Sequence, residues 1–209
     1  MNIPSNLKAS HFNEIFYKAI SQYHIKDDLN QQNINPYLNS DILDSLLYEK
    51  CWIDTVQWHL EDLIRDPNIN PIKAVELKRN IDFSNQQRTD LVEKIDDYIF
   101  EIYKEIKLKN NYIINTESIG WAIDRLSILN LKLYHWQQET QRQDISKLNL
   151  QRAVEKYKIL EDQHTFLSKA IDELISNIFS GVVVARPFKQ MKMYNDPETN
   201  PILRKLNKK

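Results

Sequence analysis

The sequence predicts an all-α protein: an antiparallel up-down bundle of four long helices, joined by an N-terminal helix and an irregular C-terminal arm. Three observations point there. Only two glycines, Gly120 and Gly181, occur in 209 residues, whereas sheets joined by tight turns draw on residues that tolerate positive φ. Apolar residues recur at helical spacing over long stretches. The connections between those stretches are a few residues long, which makes consecutive helices antiparallel neighbours. A chain of this size buries a sizeable core without crosslinks. One domain is expected over residues 1–181, followed by a basic arm over 182–209 packed on it.

Each element has a readable start or stop. The first helix is predicted over residues 6–24, with Phe12, Ile15, Phe16, Ala19 and Ile20 on one face. "DDLNQQNINPYLN" then breaks the period, with Asn-Pro as a turn signal. The second helix is predicted over 40–65, capped by Ser40 with Asp41 and Asp44 in its first turn. Asn70-Pro71 opens the third, which nothing stops before "KNNYIIN", so it is placed at 71–108. Asn115 or Thr116 caps the fourth, over 117–141, and Ser146 caps the fifth, over 147–180. Gly181 suits the residue that closes that helix.

Composition excludes several classes. The single cysteine, Cys51, permits no internal disulfide and fits a reducing compartment, so a cytoplasmic protein is expected. "MNIPSNLKASHFNEIF" has no apolar core behind basic residues, so no secretory signal is expected. No run of about 18 apolar residues is present to span a membrane. The net charge is −1, but residues 182–209 hold seven Lys or Arg against two acids, a local +5 that leaves −6 on the rest. With no basic face on the body, nucleic acid is not an expected partner. In the tail, Phe188, Met191, Met193 and Tyr194 interleave with Lys189 and Lys192. That pattern is read as an arm laying its apolar residues on the body with lysines solvated, in preference to a single-strand binding strip.

The informative residues are ionisable groups in apolar surroundings. On the third helix, Leu77, Ile81, Ile95, Ile99, Ile102 and Ile106 share one stripe with Arg88, and Asn85 lies just before it. A guanidinium there cannot shed its proton and needs acceptors. On the second helix, Ile53, Val56, Leu60 and Ile64 form the core stripe, flanked by Asp54, Trp58 and Glu61 on one side and by His59 and Asp62 on another. The fourth helix is apolar on two faces, so it is expected to pack on both sides. It carries Asp124, Arg125, Lys132 and His135. On the fifth, Tyr157, Leu160, His164, Leu167, Ile171 and Ile175 form the stripe, where a lone histidine is read as a hydrogen-bonded core residue. Folding the helices back on their loops suggests one polar layer of Asp54, Asn85, Arg88 and His135. A second layer would hold Asp124, Arg125 and His164.

No motif names a reaction. The paired Glu-x-x-His signature of di-iron bundles is missing. Glu93-x-x-Asp96 resembles the acidic pairs that hold magnesium in helical nucleotide pyrophosphatases, but its partner helix motif is absent. There is no glycine-rich phosphate loop, and Cys51 has no nucleophile motif around it. Arg88, Arg125, Lys132 and His135 suit a phosphate or carboxylate, and acids with histidine suit a divalent metal. The expected site is therefore an interior polar pocket for a small anionic or metal-bound ligand, built from Asp54, His59, Glu61, Asn85, Arg88, Asp124, Arg125, Lys132 and His135. The alternative is a partner-binding adaptor whose polar layers only fix helix register.

Four stretches, "CWIDTVQWHLEDLIRDP" (51–67), "KRNIDFSNQQRTDLVEKID" (78–96), "NTESIGWAIDRLSILNLKLYH" (115–135) and "KQMKMYNDPETNP" (189–201), resemble a bacterial family catalogued as domain of unknown function 4254. The resemblance implies a small, all-helical, cytoplasmic bacterial protein and carries no activity. Its two short signatures read His59-Leu60-Glu61 and Arg88-Thr89-Asp90 in this chain.

Overall fold

The computed structural model describes residues 2–206. Its elements in chain order are α1 (Ala9–Tyr23), α2 (Ile42–Leu63), α3 (Pro71–Tyr103), β1 (Ile113–Ile114), α4 (Ile119–Gln141), α5 (Lys147–Phe179), β2 (Val183–Val184), a 3-10 turn at Met193–Asn195, and α6 (Pro201–Leu206). The bundle is all-α as expected, with four long helices. Among the described residues no helix is long and apolar enough to cross a membrane. The last three residues of the arm placed at 182–209 lie outside the described residues.

The caps follow the sequence with two corrections. Asn70 accepts from the Ile72 and Lys73 amides with Pro71 in the first turn, and Ser146 accepts from Asn149. Ser40 does not cap α2, because its hydroxyl donates to the Tyr37 carbonyl at 3.2 Å. Asp41 caps instead, accepting from the Asp44 amide at 3.0 Å. Neither Asn115 nor Thr116 caps α4. Ile113 and Ile114 pair in parallel with Val183 and Val184, and the Asn115 amide donates to Val184 at 2.9 Å, which holds this stretch extended. Ser118 is the cap, accepting from Trp121. The same short ladder explains why α3 stops at Tyr103 instead of running to 108: the following residues turn so that Lys109 donates to the Gly181 carbonyl at 2.9 Å.

α4 is the central helix and packs against α1, α2, α3 and α5. Its first face buries Ile119, Ala122, Leu126 and Leu129; its second buries Ile123, Asp124, Ser127 and Leu131. α1 is a full core member and not a flanking helix. Phe12, Ile15, Phe16, Ala19 and Ile20 are all buried with Leu47, Cys51, Ile95 and Ile175. Each large side chain there contributes about 1.5–3 kcal/mol of apolar burial.

After Ala185, whose carbonyl accepts from the Tyr103 hydroxyl at 3.1 Å, the chain runs back along α3. Its contacts are polar, the reverse of the expected pattern. Lys189 pairs with Asp97 at 2.7 Å, the Gln190 amide donates to Glu93 at 2.8 Å, and Lys192 donates to Thr89 at 2.7 Å. Phe188, Met191, Met193 and Tyr194 stay exposed. The outer face of α3 offers the carboxylates of Glu93 and Asp97 here, and Lys189 makes the contact with both.

Gly181 closes α5 with φ +71°, and a Cβ there would meet the Lys107 carbonyl. Gly181→Ala is predicted to cost about 1–3 kcal/mol, since both the left-handed backbone and the close approach oppose a side chain. Urea unfolding checks this; a loss within about 0.5 kcal/mol would mean the α5 terminus tolerates both.

Candidate functional site

Two polar clusters sit between the helices. The first is a charged quartet. Lys50 and Asp54 lie one turn apart on α2, in the stripe Leu43, Leu47, Lys50, Asp54, and their side chains have no exposed surface. Lys50 Nζ contacts Asp54 Oδ2 and lies 2.8 Å from Asp124 Oδ1 on α4. Arg88 on α3 holds Asp124 side-on, with Nε to Oδ1 at 3.0 Å and Nη2 to Oδ2 at 2.7 Å. Ser127, one turn beyond Asp124, donates to Asp54 Oδ2 at 2.6 Å. Asp54 Oδ1 lies 3.1 Å from Arg88 Nε, but that N–H points at Asp124, so Oδ1 is a buried acceptor without a hydrogen bond. Two cations thus face two anions, and three helices meet at them.

The electrostatics follow from burial and this pairing. Burial opposes ionisation of Asp124, but Lys50 and Arg88 outweigh it and hold its carboxyl below the usual range. Asp54 is pushed up, by burial first and then by Asp124 beside it. Burial also opposes the charge on Arg88, yet Asp54 and Asp124 prevail and raise its pKa.

Arg88 is the exposed edge of the quartet, with 27 % of its side chain accessible. It separates two cavities. One of about 300 Å³ is lined by Gln57, Trp58, Glu61, Arg65 and Ile128. The other, about 700 Å³, is lined by Trp121, Arg125, Lys132, Glu117, Asp162 and Phe166.

The second cluster is histidine. His24 follows α1, His59 is on α2 and His135 on α4, and one ring nitrogen of each lies within 4.8 Å of the others. His59 Nε2 and His24 Nε2 are 3.2 Å apart. His135 stacks on Trp58 with centroids 4.5 Å apart and planes 5° from parallel, and its Nε2 is buried without a hydrogen bond. Burial, then the neighbouring imidazoles, lower the His135 pKa to about 4, and burial lowers that of His59. Both are therefore neutral at pH 7.

The expected site residues divide as follows. Asp54, Arg88 and Asp124 come together in the quartet. His59 and His135 meet in the histidine cluster, so His135 is not in the Arg88 layer. Asn85 accepts from Gln57 at 2.8 Å beside the quartet. Glu61 pairs with Arg65 at 2.7 Å, and Arg125 with Glu117 at 2.7 Å, both near the surface. Lys132 is exposed at the rim of the larger cavity. Asp124 and His164 do not meet; His164 Nε2 lies 3.1 Å from Asn13 Oδ1. The first expected layer keeps Asp54, Asn85 and Arg88 but loses His135, and the second does not form, because the helices cross at levels that loop counting does not resolve. Glu93-x-x-Asp96 is not a paired metal motif either. Asp96 caps α4, accepting from Ser118 and from the Gly120 amide at 2.6 Å, while Glu93 accepts from the tail. Cys51 is fully buried, and its thiol is pushed up to about 12, which removes it as a nucleophile.

Sequence reasoning missed Lys50, Ser127 and His24. Lys50 continues the i, i+4, i+7 stripe of Leu43 and Leu47, and that spacing was the available signal. His24 sits just past a helix end, where spacing on α1 gives no sign of what it meets.

Fold and clusters together define an all-helical bundle protein with a charged interior. The chain belongs to the protein family of unknown function DUF4254, whose model matches residues 44–186, most of the chain. That span contains the quartet, His59 and His135, and begins after His24. Neither the curated proteins nor the solved structures provide a match.

Lys50→Met is predicted to cost about 3–5 kcal/mol, because it leaves two carboxylates facing one cation. Adding Asp54→Leu restores a one-to-one Arg88–Asp124 pair and should recover most of the loss, leaving about 1 kcal/mol for the Ser127 hydroxyl. Equilibrium unfolding of both variants checks this, and a double variant as unstable as the single would show that charge balance is not what holds the quartet.

Proposed function

We propose that this protein binds a small anionic ligand in the open cleft along Arg88, with the ligand's carboxylate or phosphate on the outer side of the guanidinium. One observation carries this reading. Arg88 spends two of its five N–H groups on Asp124, and among the described residues the other three have no protein acceptor. The inner carboxylates hold the guanidinium rigidly, so the outer N–H groups are pre-organised for a second acceptor at little entropic cost. Arg125 and Lys132 add positive charge on the wall of the larger cavity, and Trp121 and Phe166 offer ring faces for an apolar or planar portion. A volume near 700 Å³ suits a metabolite-sized molecule. A reducing, cytoplasmic setting accords with the buried free thiol of Cys51.

The internal pairing of the quartet favours a second reading, an adaptor in which the charges only set the register of α2, α3 and α4. Thermal melting with inorganic phosphate, nucleoside monophosphates, sugar phosphates and dicarboxylates separates the two. A binder at a hundredfold excess over its Kd stabilises by about 2.7 kcal/mol, or roughly 5–10 °C here. Lys132→Ala and Arg125→Ala touch no quartet contact, and each is expected to shrink that shift while leaving the unliganded melting temperature unchanged. Arg88→Lys, which keeps the charge but not the fork, is expected to abolish it. Equal shifts in all four proteins, or none with any of these anions, would favour the register reading.

A further inference from the structure

The histidine cluster stands apart from the Arg88 cleft and serves no purpose in that proposal. Three imidazoles, two from α2 and α4 and one from the residue just past α1, converge, and their orientation is built. His24 Nδ1–H donates to the Ile20 carbonyl at 2.7 Å, which fixes the tautomer and leaves the Nε2 lone pair aimed at His59. A carbonyl holding the far nitrogen is the arrangement that orients metal-bound imidazoles. His59 stacks on Tyr23, with centroids 5.1 Å apart and planes 11° from parallel, and His135 stacks on Trp58, so neither ring turns freely. His135 Nε2 is buried and unpartnered, and one nitrogen of this ring lies within 4.8 Å of a ring nitrogen of each of the other two. Asp27 stands beside them. Its Oδ1 is 3.4 Å from His59 Nε2 and 4.0 Å from His24 Nε2. Its backbone is left-handed, with φ +51°, a conformation that needs a reason in a non-glycine residue.

The spacing matches a known coordination geometry. Zinc–imidazole bonds of 2.0–2.1 Å in a tetrahedron place ligand atoms roughly 3.3–3.4 Å apart. The His24–His59 separation of 3.2 Å and the His59–Asp27 separation of 3.4 Å are such edges. The third nitrogen, within 4.8 Å, closes the set with a shift of roughly 1 Å or a little more. Without an ion, two imidazole nitrogens at that distance need a proton between them, and His135 Nε2 has nothing.

We propose that His24, His59 and His135 bind one divalent transition-metal ion of the zinc type, with an Asp27 oxygen as the fourth ligand. Three neutral imidazoles and one carboxylate select a borderline ion over magnesium or calcium, which take oxygen ligands. The Asp27 side opens on a cavity of about 730 Å³ that His59, Tyr23 and Asp62 also line. An ion here would be held by four protein groups, the closed pattern of structural zinc sites, with Asp27 as its solvent-facing ligand.

The test uses the full chain and Zn²⁺ alone, by calorimetric titration at pH 7, with Co²⁺ as a spectroscopic substitute. One saturable Zn²⁺ per chain is expected, with a raised melting temperature and the visible absorption of four-coordinate Co²⁺. His24→Gln, His59→Gln and His135→Gln should each lower affinity by more than the ten- to hundredfold that loss of a supporting group costs. Asp27→Asn should lower it by about tenfold. His11→Gln, at the separate His11–Asp44 contact, should leave it unchanged. If any of the His→Gln variants does not fold, the wild-type measurements still decide. Absence of saturable Zn²⁺ binding and of any melting shift would overturn the site. Equal affinity in the folded His→Gln variants, or an equal loss in His11→Gln, would overturn it as well, and unchanged binding in Asp27→Asn would remove Asp27 from the set.

Discussion

The Lys50–Asp54–Arg88–Asp124 quartet is the interaction on which the rest of the molecule depends. Apolar stripes alone leave helices free to slide by a turn, because one leucine packs much like another. Charges do not allow that freedom. A slip of α3 by one turn, about 5.4 Å, would part Arg88 from Asp124 and leave two buried carboxylates facing Lys50 alone. The cost of an unpaired buried charge is several kcal/mol, comparable with the whole stability of a domain. The quartet therefore selects one register for α2, α3 and α4, and α4 passes that register to α1 and α5 because it touches all four.

Register is what makes the histidine cluster reproducible. Asp54 and His59 are five residues apart on α2, and Asp124 and His135 eleven apart on α4. Once the quartet fixes the two helices, His59 and His135 are brought to the end of α1, where the Ile20 carbonyl accepts from both the backbone amide and the ring Nδ1 of His24. Trp58 links the regions, since one face carries His135 while its edge lines the smaller cavity beside Arg88. The bundle thus holds one balanced charge cluster at its middle and one neutral donor cluster toward its rim. Their chemistries differ: a paired guanidinium favours an anion's oxygens, and clustered imidazoles favour a borderline metal ion.

The helix N-termini show the same economy of placement. Asp96 reaches from α3 to cap α4, and a Cβ at Gly120 would meet its Oδ1 at 2.6 Å, so the absence of a side chain at 120 is what lets the carboxylate in. Gly181 does the equivalent at the end of α5, where the chain crosses back over Lys107. These are the two glycines of the sequence, and each stands where two backbones or a cap come too close for a side chain.

Much of this was legible in the residues. Helical periodicity, cap residues and scarce glycine determined the number of long helices, their approximate ends and their all-α character, because those are local properties set within a few residues. The same reasoning marked Asp54, Arg88 and Asp124 as groups that needed partners, since burial of charge demands pairing whatever the fold. Which partner each took was decided only by tertiary structure. Arg88 found Asp124 and not His135, His135 joined His24 and His59, and the tail bound α3 by its lysines while its aromatic residues stayed exposed. Periodicity gives a side chain its face on a helix, but crossing angle and axial offset give it a neighbour. Those depend on how all the side chains of two surfaces interlock at once, which no single stretch of sequence contains.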